Sequence, residues 1–214
     1  MTKQQDTLLS LANHKVKSLL TSIKAYDQLL QKRLQNNEQT LSFVKRLDTQ
    51  VDALTLLITN LLDIYRVQEQ ALILQKEFID ATTVVQEVVV RMQKTTQQPI
   101  FLQGTLHKKL FADKQRFIQI LSILLTNAIQ HTHGTKQITV TVVEEKDACT
   151  VSVQDTGEGI PRETREHLFD LVYQEKLQTG LSLAKAIIDL HHGTLDITSV
   201  AGKGSTFSFH LPIE

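Results

Sequence analysis

From residue 6 to residue 70 the chain contains neither proline nor glycine. Turns and strand breaks draw heavily on those two residues, so the whole segment is expected to be helical. Leu9, Ala12, Val16, Leu19, Ile23, Tyr26 and Leu30 step by three and four, a seven-residue repeat. After Asn36-Asn37 the repeat restarts at Val44, Leu47, Val51, Leu54, Ile58, Leu61 and Tyr65. Two such helices joined by a short polar turn form an antiparallel hairpin. Leu8, Leu20, Leu41, Leu57 and Leu62 widen each stripe beyond what a two-helix seam covers. Two copies packed as a four-helix bundle would cover it, so a homodimer is predicted. With Leu9 at heptad position a, His14 falls at f, farthest from the seam and in water. Ser18 and Thr21 follow one and two turns along nearly the same face. A lone surface histidine ordinarily has no special role.

Charge narrows the choice of partners. Lys plus Arg and Asp plus Glu are both 23, for a formal net charge of zero, so no global basic field points to nucleic acid or an anionic membrane surface. The single cysteine, Cys149, excludes an internal disulfide framework and reads as a small buried hydrophobe. No apolar run of about 18 residues and no signal-peptide pattern are visible. No membrane contact by this segment and a reducing, cytoplasmic setting are therefore expected, even if the sequence is the soluble end of a longer protein.

A domain boundary is expected near residue 70, giving a helical hairpin over 1–70 and a second domain over 71–214. Residues 71–78 read as a strand, and Asp80 can cap a helix running to about Gln93. Pro99 to Gly104 and Leu106 to Phe111 read as short strands. Asp113 can cap a helix whose apolar face is Phe117, Ile118, Ile120, Leu121, Leu124, Leu125 and Ile129, with Asn127 near its end. Strands at about 137–144 and 148–154, helices near 161–170 and 180–191, and strands at 194–200 and 205–212 complete the pattern. Strands with helices to one side predict an α+β sandwich.

The most informative loop lies within that domain. In V-S-V-Q-D-T-G-E-G-I-P, Val151 and Val153 alternate with Ser152 and Gln154 as in a half-buried strand, and the chain then breaks at Asp155. Gly157 and Gly159 permit a sharp turn and close approach of a ligand to the backbone. Pro161 suits the first position of a helix. A flat ligand with an exocyclic amine, such as adenine, could donate to Asp155 and pack over the glycines; a loop that binds nothing is the competing reading. Three other features read as decoys. Gly202-Lys203-Gly204-Ser205 lacks the upstream glycine and the Lys-Ser/Thr pair of a P-loop and reads as a hairpin turn. His131-x-His133 and His191-His192 lack companions at metal-ligand spacing and read as surface or loop histidines. His107, Lys108 and Lys109 read as a solvated turn.

Five segments, in order, resemble the catalytic core of sensor histidine kinases of two-component signalling. L-A-N-H-K-V-K-S-L-L-T-S-I-K-A-Y resembles the H box around the phosphoacceptor, and I-L-S-I-L-L-T-N-A-I-Q-H-T resembles the N box. V-Q-D-T-G-E-G-I-P is similar to the first glycine box, and H-L-F-D-L-V-Y to the F box. Q-T-G-L-S-L-A-K and the residues through Pro212 resemble the second glycine box and closing hairpin. The resemblance covers nearly all of the chain. It implies a gyrase-type ATP-binding fold in the second domain, with ATP and Mg²⁺ as ligands. Asp155, Gly157 and Gly159 would receive the adenine, and Asn127 would help hold Mg²⁺. Thr179, Gly180 and Leu181 would open a helix facing the phosphates. His14 would take the γ-phosphoryl group, Ser18 would stand where a residue orients water, and the phosphoryl group would pass to an aspartate of a response-regulator receiver domain.

The departures from the pattern gather around the chemistry. Lys15 follows His14 where the family usually has an acidic residue to take the imidazole proton. Leu19 stands in place of a helix-bending proline, and Ile123 and Gln130 replace an asparagine and a lysine of the N box. Only ten residues separate Phe169 from Gly180, a short lid, and Gln178 and Ser182 stand where glycines are usual. Two readings follow: an active protein-histidine kinase, slow or weakened by Lys15, or a degenerate scaffold or phosphatase that binds a regulator without autophosphorylating.

Overall fold

A computed structural model describes residues 21, 23–25, 28, 30, 38–132, 136–145, 147–170, 172–173, 176–177 and 179–213. The chain divides into two compact units, Met1–Gln68 and Glu69–Glu214. His14, Ser18 and the Asn36-Asn37 turn lie outside the described residues.

In the first unit, helix α1 spans Glu38–Gln68, and the described residues between 21 and 30 are also helical. Lys24 Nζ reaches Asp52 Oδ1 at 2.5 Å and Asp48 Oδ1 at 3.9 Å, so these two helical stretches run side by side. Val44 is buried, but Leu47 and Leu54, one heptad apart on the predicted stripe, are about half exposed within the single chain.

The second unit is a mixed α/β domain. Its five-stranded sheet has the order β2-β4-β5-β9-β8, with β2 Ile100–Gln103, β4 Ile138–Glu145, β5 Ala148–Asp155, β8 Thr194–Val200 and β9 Gly204–Pro212. β2 runs parallel to β4, and the other neighbours are antiparallel. A separate ribbon pairs β1 (Glu77–Ile79) with β3 (Leu110–Ala112). Helices α2 (Ala81–Gln93), α3 (Lys114–His131) and α5 (Thr179–Leu190) pack with α3 between the other two.

Alternation sets the sheet's two faces. Ile138, Val140 and Val142 of β4, Val151 and Val153 of β5, and Phe207, Phe209 and Leu211 of β9 are buried. They face the helices, and Phe117 of α3 stands edge-on to Phe209 with ring centroids 5.5 Å apart. Helix starts follow the expected chemistry. Asp80 accepts from Thr83 N at 3.0 Å, and Asp113 Oδ1 accepts from Arg116 N at 3.1 Å.

Several boundaries differ from the sequence-based expectation, and long-range side chains account for most of them. The strand expected over 71–78 forms only at Glu77–Ile79, because the Gln75 amide donates to Asp113 Oδ2 at 2.9 Å instead of to a neighbouring strand. The strand expected from Leu106 begins only at Leu110. Leu106 N donates to Thr82 Oγ1 at 2.8 Å, and Glu144 Oε2 accepts from the amides of His107 and Lys108. The helix expected over 161–170 is a short α4, Arg162–Arg165. Pro161 is its extended N-cap residue and not its first helical one, and the chain continues in turns closed by His167, Leu168 and Asp170 amides. Between α4 and α5, Val172–Tyr173 (β6) pairs with Lys176–Leu177 (β7).

Candidate functional site

Asp155 ends the central strand of the sheet. Its register partners are Ile138 on β4 and Ser205 on β9. Since Val151 and Val153 face the helices, the period of two turns Asp155 the same way, and it is 4% exposed. Its Oδ1 accepts from the Gly157 amide at 2.7 Å, which folds the chain into a tight turn at the end of the strand. Burial raises the carboxyl pKa above its usual value; the Gly157 and Ser205 backbone groups and the nearby His131 and Lys136 pull the other way but do not prevail.

The loop after Asp155 is held from several sides. Thr156 Oγ1 accepts from Gln137 N at 3.2 Å and donates to Gln137 O at 3.3 Å, tying the loop to the start of β4. A Cβ on Gly157 would lie 2.2 Å from His131 O and 2.7 Å from Asp155 Oδ1, so any larger residue would push α3 and the carboxylate apart. Gly159 sits at φ 67°, with a Cβ position 2.1 Å from Val200 O. The C-terminal end of α3 thus abuts the loop that Asp155 opens.

The same helix connects to the start of α5. A Cβ on Gly180 would lie 3.4 Å from Ile123 Cγ2, so the first turn of α5 approaches α3 at Ile123. Asn127 follows Ile123 by four residues and therefore shares its face of α3. Thr179 and Leu181 are buried. Gly180 thus lies beside Ile123, the position where the sequence resemblance leads one to expect an asparagine. α3 is accordingly the element that brings the predicted positions toward one another: its end meets Gly157, and its Ile123–Asn127 face meets Gly180.

The neighbourhood also holds groups that sequence reasoning missed. Thr132 is fully buried, and its Oγ1 has no hydrogen-bond partner among the described residues. Ser199 and Ser205 are buried hydroxyls beside the loop, 3.0 Å apart. His191, expected at the surface, is 2% exposed. Its Nε2 accepts from Asp113 N at 3.1 Å, and its Nδ1 lies 2.9 Å from Ile187 O. Those partners assign a neutral ring with the proton on Nδ1, and burial lowers the pKa below the ordinary 6.5. His192 is exposed at φ 59°, and Gly202-Lys203-Gly204 lies in the β8–β9 hairpin, as expected. Lys108 pairs with Glu144 at 3.3 Å. No group of three or more His, Cys, Asp or Glu side chains suited to a metal occurs among the described residues.

The stretch that carries the buried strand-end carboxylate, the glycine floor and the helix start is similar to known proteins. Residues 112–214 match the model of the histidine kinase-, DNA gyrase B-, and HSP90-like ATPases. Those residues and the segment before them also match curated relatives together. The chain is 25% identical to the sensor histidine kinase YclK of Bacillus subtilis over 99% of its own length and 47% of that protein. It is 24% identical to the sensor protein kinase WalK of Staphylococcus aureus over 94% of its length and 36% of that protein. The chain therefore spans about a third to a half of the curated relatives it matches. In structure it superposes on full-length ShkA in complex with AMPPNP with a TM-score of 0.80, covering 100% of this chain and 46% of that one at 22% identity, a likeness of fold. Over nearly its whole length the chain is thus similar to sensor histidine kinases, and the stretch that matches the ATPase model lies at its C-terminal side. No helix among the described residues is long and apolar enough to cross a membrane.

Proposed function

We propose that the chain autophosphorylates on His14 at the expense of ATP and passes the phosphoryl group to an aspartate on a response-regulator receiver domain. The observation that carries this reading is the Asp155–Gly157 turn. One oxygen of a buried carboxylate is engaged by Gly157 N at 2.7 Å, a carboxylate has lone pairs to take a further donor, and the floor beside it tolerates no Cβ. An adenine ring fits both features: its amino group donates to Asp155, and its face lies over backbone. Thr179, Gly180 and Leu181 open a twelve-residue helix whose first amides suit phosphate oxygens. The Asn127 side-chain oxygen is a hard donor suited to Mg²⁺, and it lies on the face of α3 nearest that helix start. Bound Mg²⁺ would offset the charge of the phosphates.

In the transfer itself, a nitrogen of His14 would form a bond to the γ-phosphorus as the bond to the bridging oxygen of ADP breaks. Neutral imidazole is the reactive form, and its proton must leave as the phosphohistidine forms. Lys15 cannot accept that proton, so slow turnover is expected. Ser18 keeps a hydroxyl one turn from His14, suited to orienting water for removal of phosphate from the regulator.

The exposed apolar residues Ile23, Leu30, Leu47, Leu54 and Leu57 support pairing of two hairpins into a four-helix bundle. The setting proposed is cytoplasmic. Incubation with γ-labelled ATP and Mg²⁺ tests the function. Acid-labile label that disappears in His14→Gln is the expected result; tight nucleotide binding with no label on the protein would overturn the kinase reading.

A further inference from the structure

The turn that closes the β8–β9 hairpin lies against the loop after Asp155. Gly202 N donates to Glu158 O at 2.6 Å. Val200 O lies 2.1 Å from the Cβ position of Gly159, and Asp155 O lies 2.1 Å from that of Gly204. A side chain adds the remaining tie: Ile160 N donates to Ser199 Oγ at 2.7 Å. Ser199 is 6% exposed, and its Oγ also donates to Gly204 O at 3.0 Å and lies 3.0 Å from Ser205 Oγ. A hydroxyl offers one proton and two lone pairs. With its proton on Gly204 O, Ser199 accepts from both the Ile160 amide and the Ser205 hydroxyl, so its capacity is filled. Ser205 is in turn the register partner of Asp155.

We infer that Ser199 is a positioning residue for base recognition: its hydroxyl fixes the far end of loop 156–160 to the closing hairpin, so that Asp155 and the glycine floor are set before a nucleotide arrives. This rests on the reading that Asp155 and its loop receive adenine. The loop carries two glycines, and a free segment of that kind has much conformational entropy to lose. Its near end is fixed by the Asp155–Gly157 turn and by Thr156 with Gln137. Its far end depends on the Ile160 amide, which Ser199 holds, and on the Glu158 carbonyl, which the hairpin holds. Removing the Ser199 hydroxyl leaves the Ile160 amide, the Gly204 carbonyl and the Ser205 hydroxyl each short of a partner. Ordering the loop then falls to the ligand and lowers affinity. The effect belongs to the base end, so it should be the same for every ligand that carries adenine, whatever its phosphates.

The test compares Ser199→Ala and Ser199→Thr with Ser208→Ala. Ser208 lies on β9 facing away from the loop, where its hydroxyl pairs with Ser152 at 2.8 Å. Dissociation constants for ATP, ADP and adenosine are measured by calorimetry at a temperature where every variant is fully folded, and amide exchange at Ile160 is followed without ligand. Ser199→Ala should weaken all three ligands by one common factor, about tenfold, and speed exchange at Ile160 while the β5 amides stay as slow as before. Ser199→Thr should retain binding, and Ser208→Ala should match the parent. Unchanged affinities in Ser199→Ala, or a loss confined to ATP, overturn the inference. If the parent protein binds none of the three, the adenine reading itself fails and takes this inference with it. Should the alanine variant not fold, Ser199→Cys, which keeps the volume and weakens the acceptor, carries the same comparison.

Discussion

The Asp155→Asn variant keeps the size and shape of the side chain and changes what its outer atom offers. The oxygen that accepts from Gly157 N at 2.7 Å can remain an acceptor, so the turn survives. The other position becomes an NH₂ group, which would face the adenine amine as donor against donor if Asp155 receives the base as proposed. A hydrogen bond to a charged group contributes roughly 1.5–3 kcal/mol, so affinity for ATP should fall roughly 10- to 150-fold. Stability should move the opposite way. Burial raises the Asp155 pKa, so at neutral pH the folded protein carries that carboxylate at a cost which the amide does not have. A raised folded pKa means that the wild-type side chain favours folding most when protonated and loses that advantage as pH rises through its folded pKa. Without nucleotide, the variant should therefore be at least as stable as the parent at neutral pH, and any advantage should vanish as the pH drops toward the ordinary 3.8. Calorimetric titration with ATP and denaturant unfolding of the apo protein read the two effects separately. ATP binding equal to that of the parent would refute the assignment of Asp155 to the base.

Two further predictions concern buried groups outside the Asp155 loop. Cys149 is fully buried, and burial, with Glu144 adding to it, pushes its thiol up to about 12; the folded protein should resist a thiol reagent at mildly alkaline pH and react only as fast as it unfolds, and rapid labelling of the native state would contradict this. His191 is held neutral with its folded pKa below 6.5, so its contribution to stability is present above that value and is lost as the pH falls from 6.5 toward the folded pKa. His191→Gln should cost about 1–3 kcal/mol at neutral pH by disturbing the acceptor of the Asp113 amide, and should flatten that acid-side slope in denaturant unfolding; an unchanged slope would refute the assignment.

Much of the second unit was legible because its signals are local. Asp80 and Asp113 announce helix starts by capping amides three residues on, and β5 alternates as a strand with one face buried must. The Asp155-Thr156-Gly157 turn could be read because its deciding hydrogen bond spans two residues. What was misread depends on partners distant in the chain. Gln75 is kept out of a strand by Asp113, and Leu106 by Thr82. His191 looked like a surface residue because its acceptor role is fixed by an amide 78 positions away. Ser199 shows the same limit: a serine in a polar, alternating strand gives no sign that the Ile160 amide will reach it. The heptads of the first segment announced helix but not which side would remain uncovered, since Leu47 and Leu54 share the stripe with buried Val44.

β5 is flanked along its whole length, with eight residue pairs to β4 on one side and eight to β9 on the other. Asp155 cannot drift alone; displacing it means slipping both ladders, an event comparable to opening the whole unit. The grip on the purine end of a ligand should therefore be nearly all-or-none across mild changes in conditions. On the function proposed above, any graded adjustment of nucleotide turnover would have to come from the opposite end of the ligand, which that proposal sets against the start of α5.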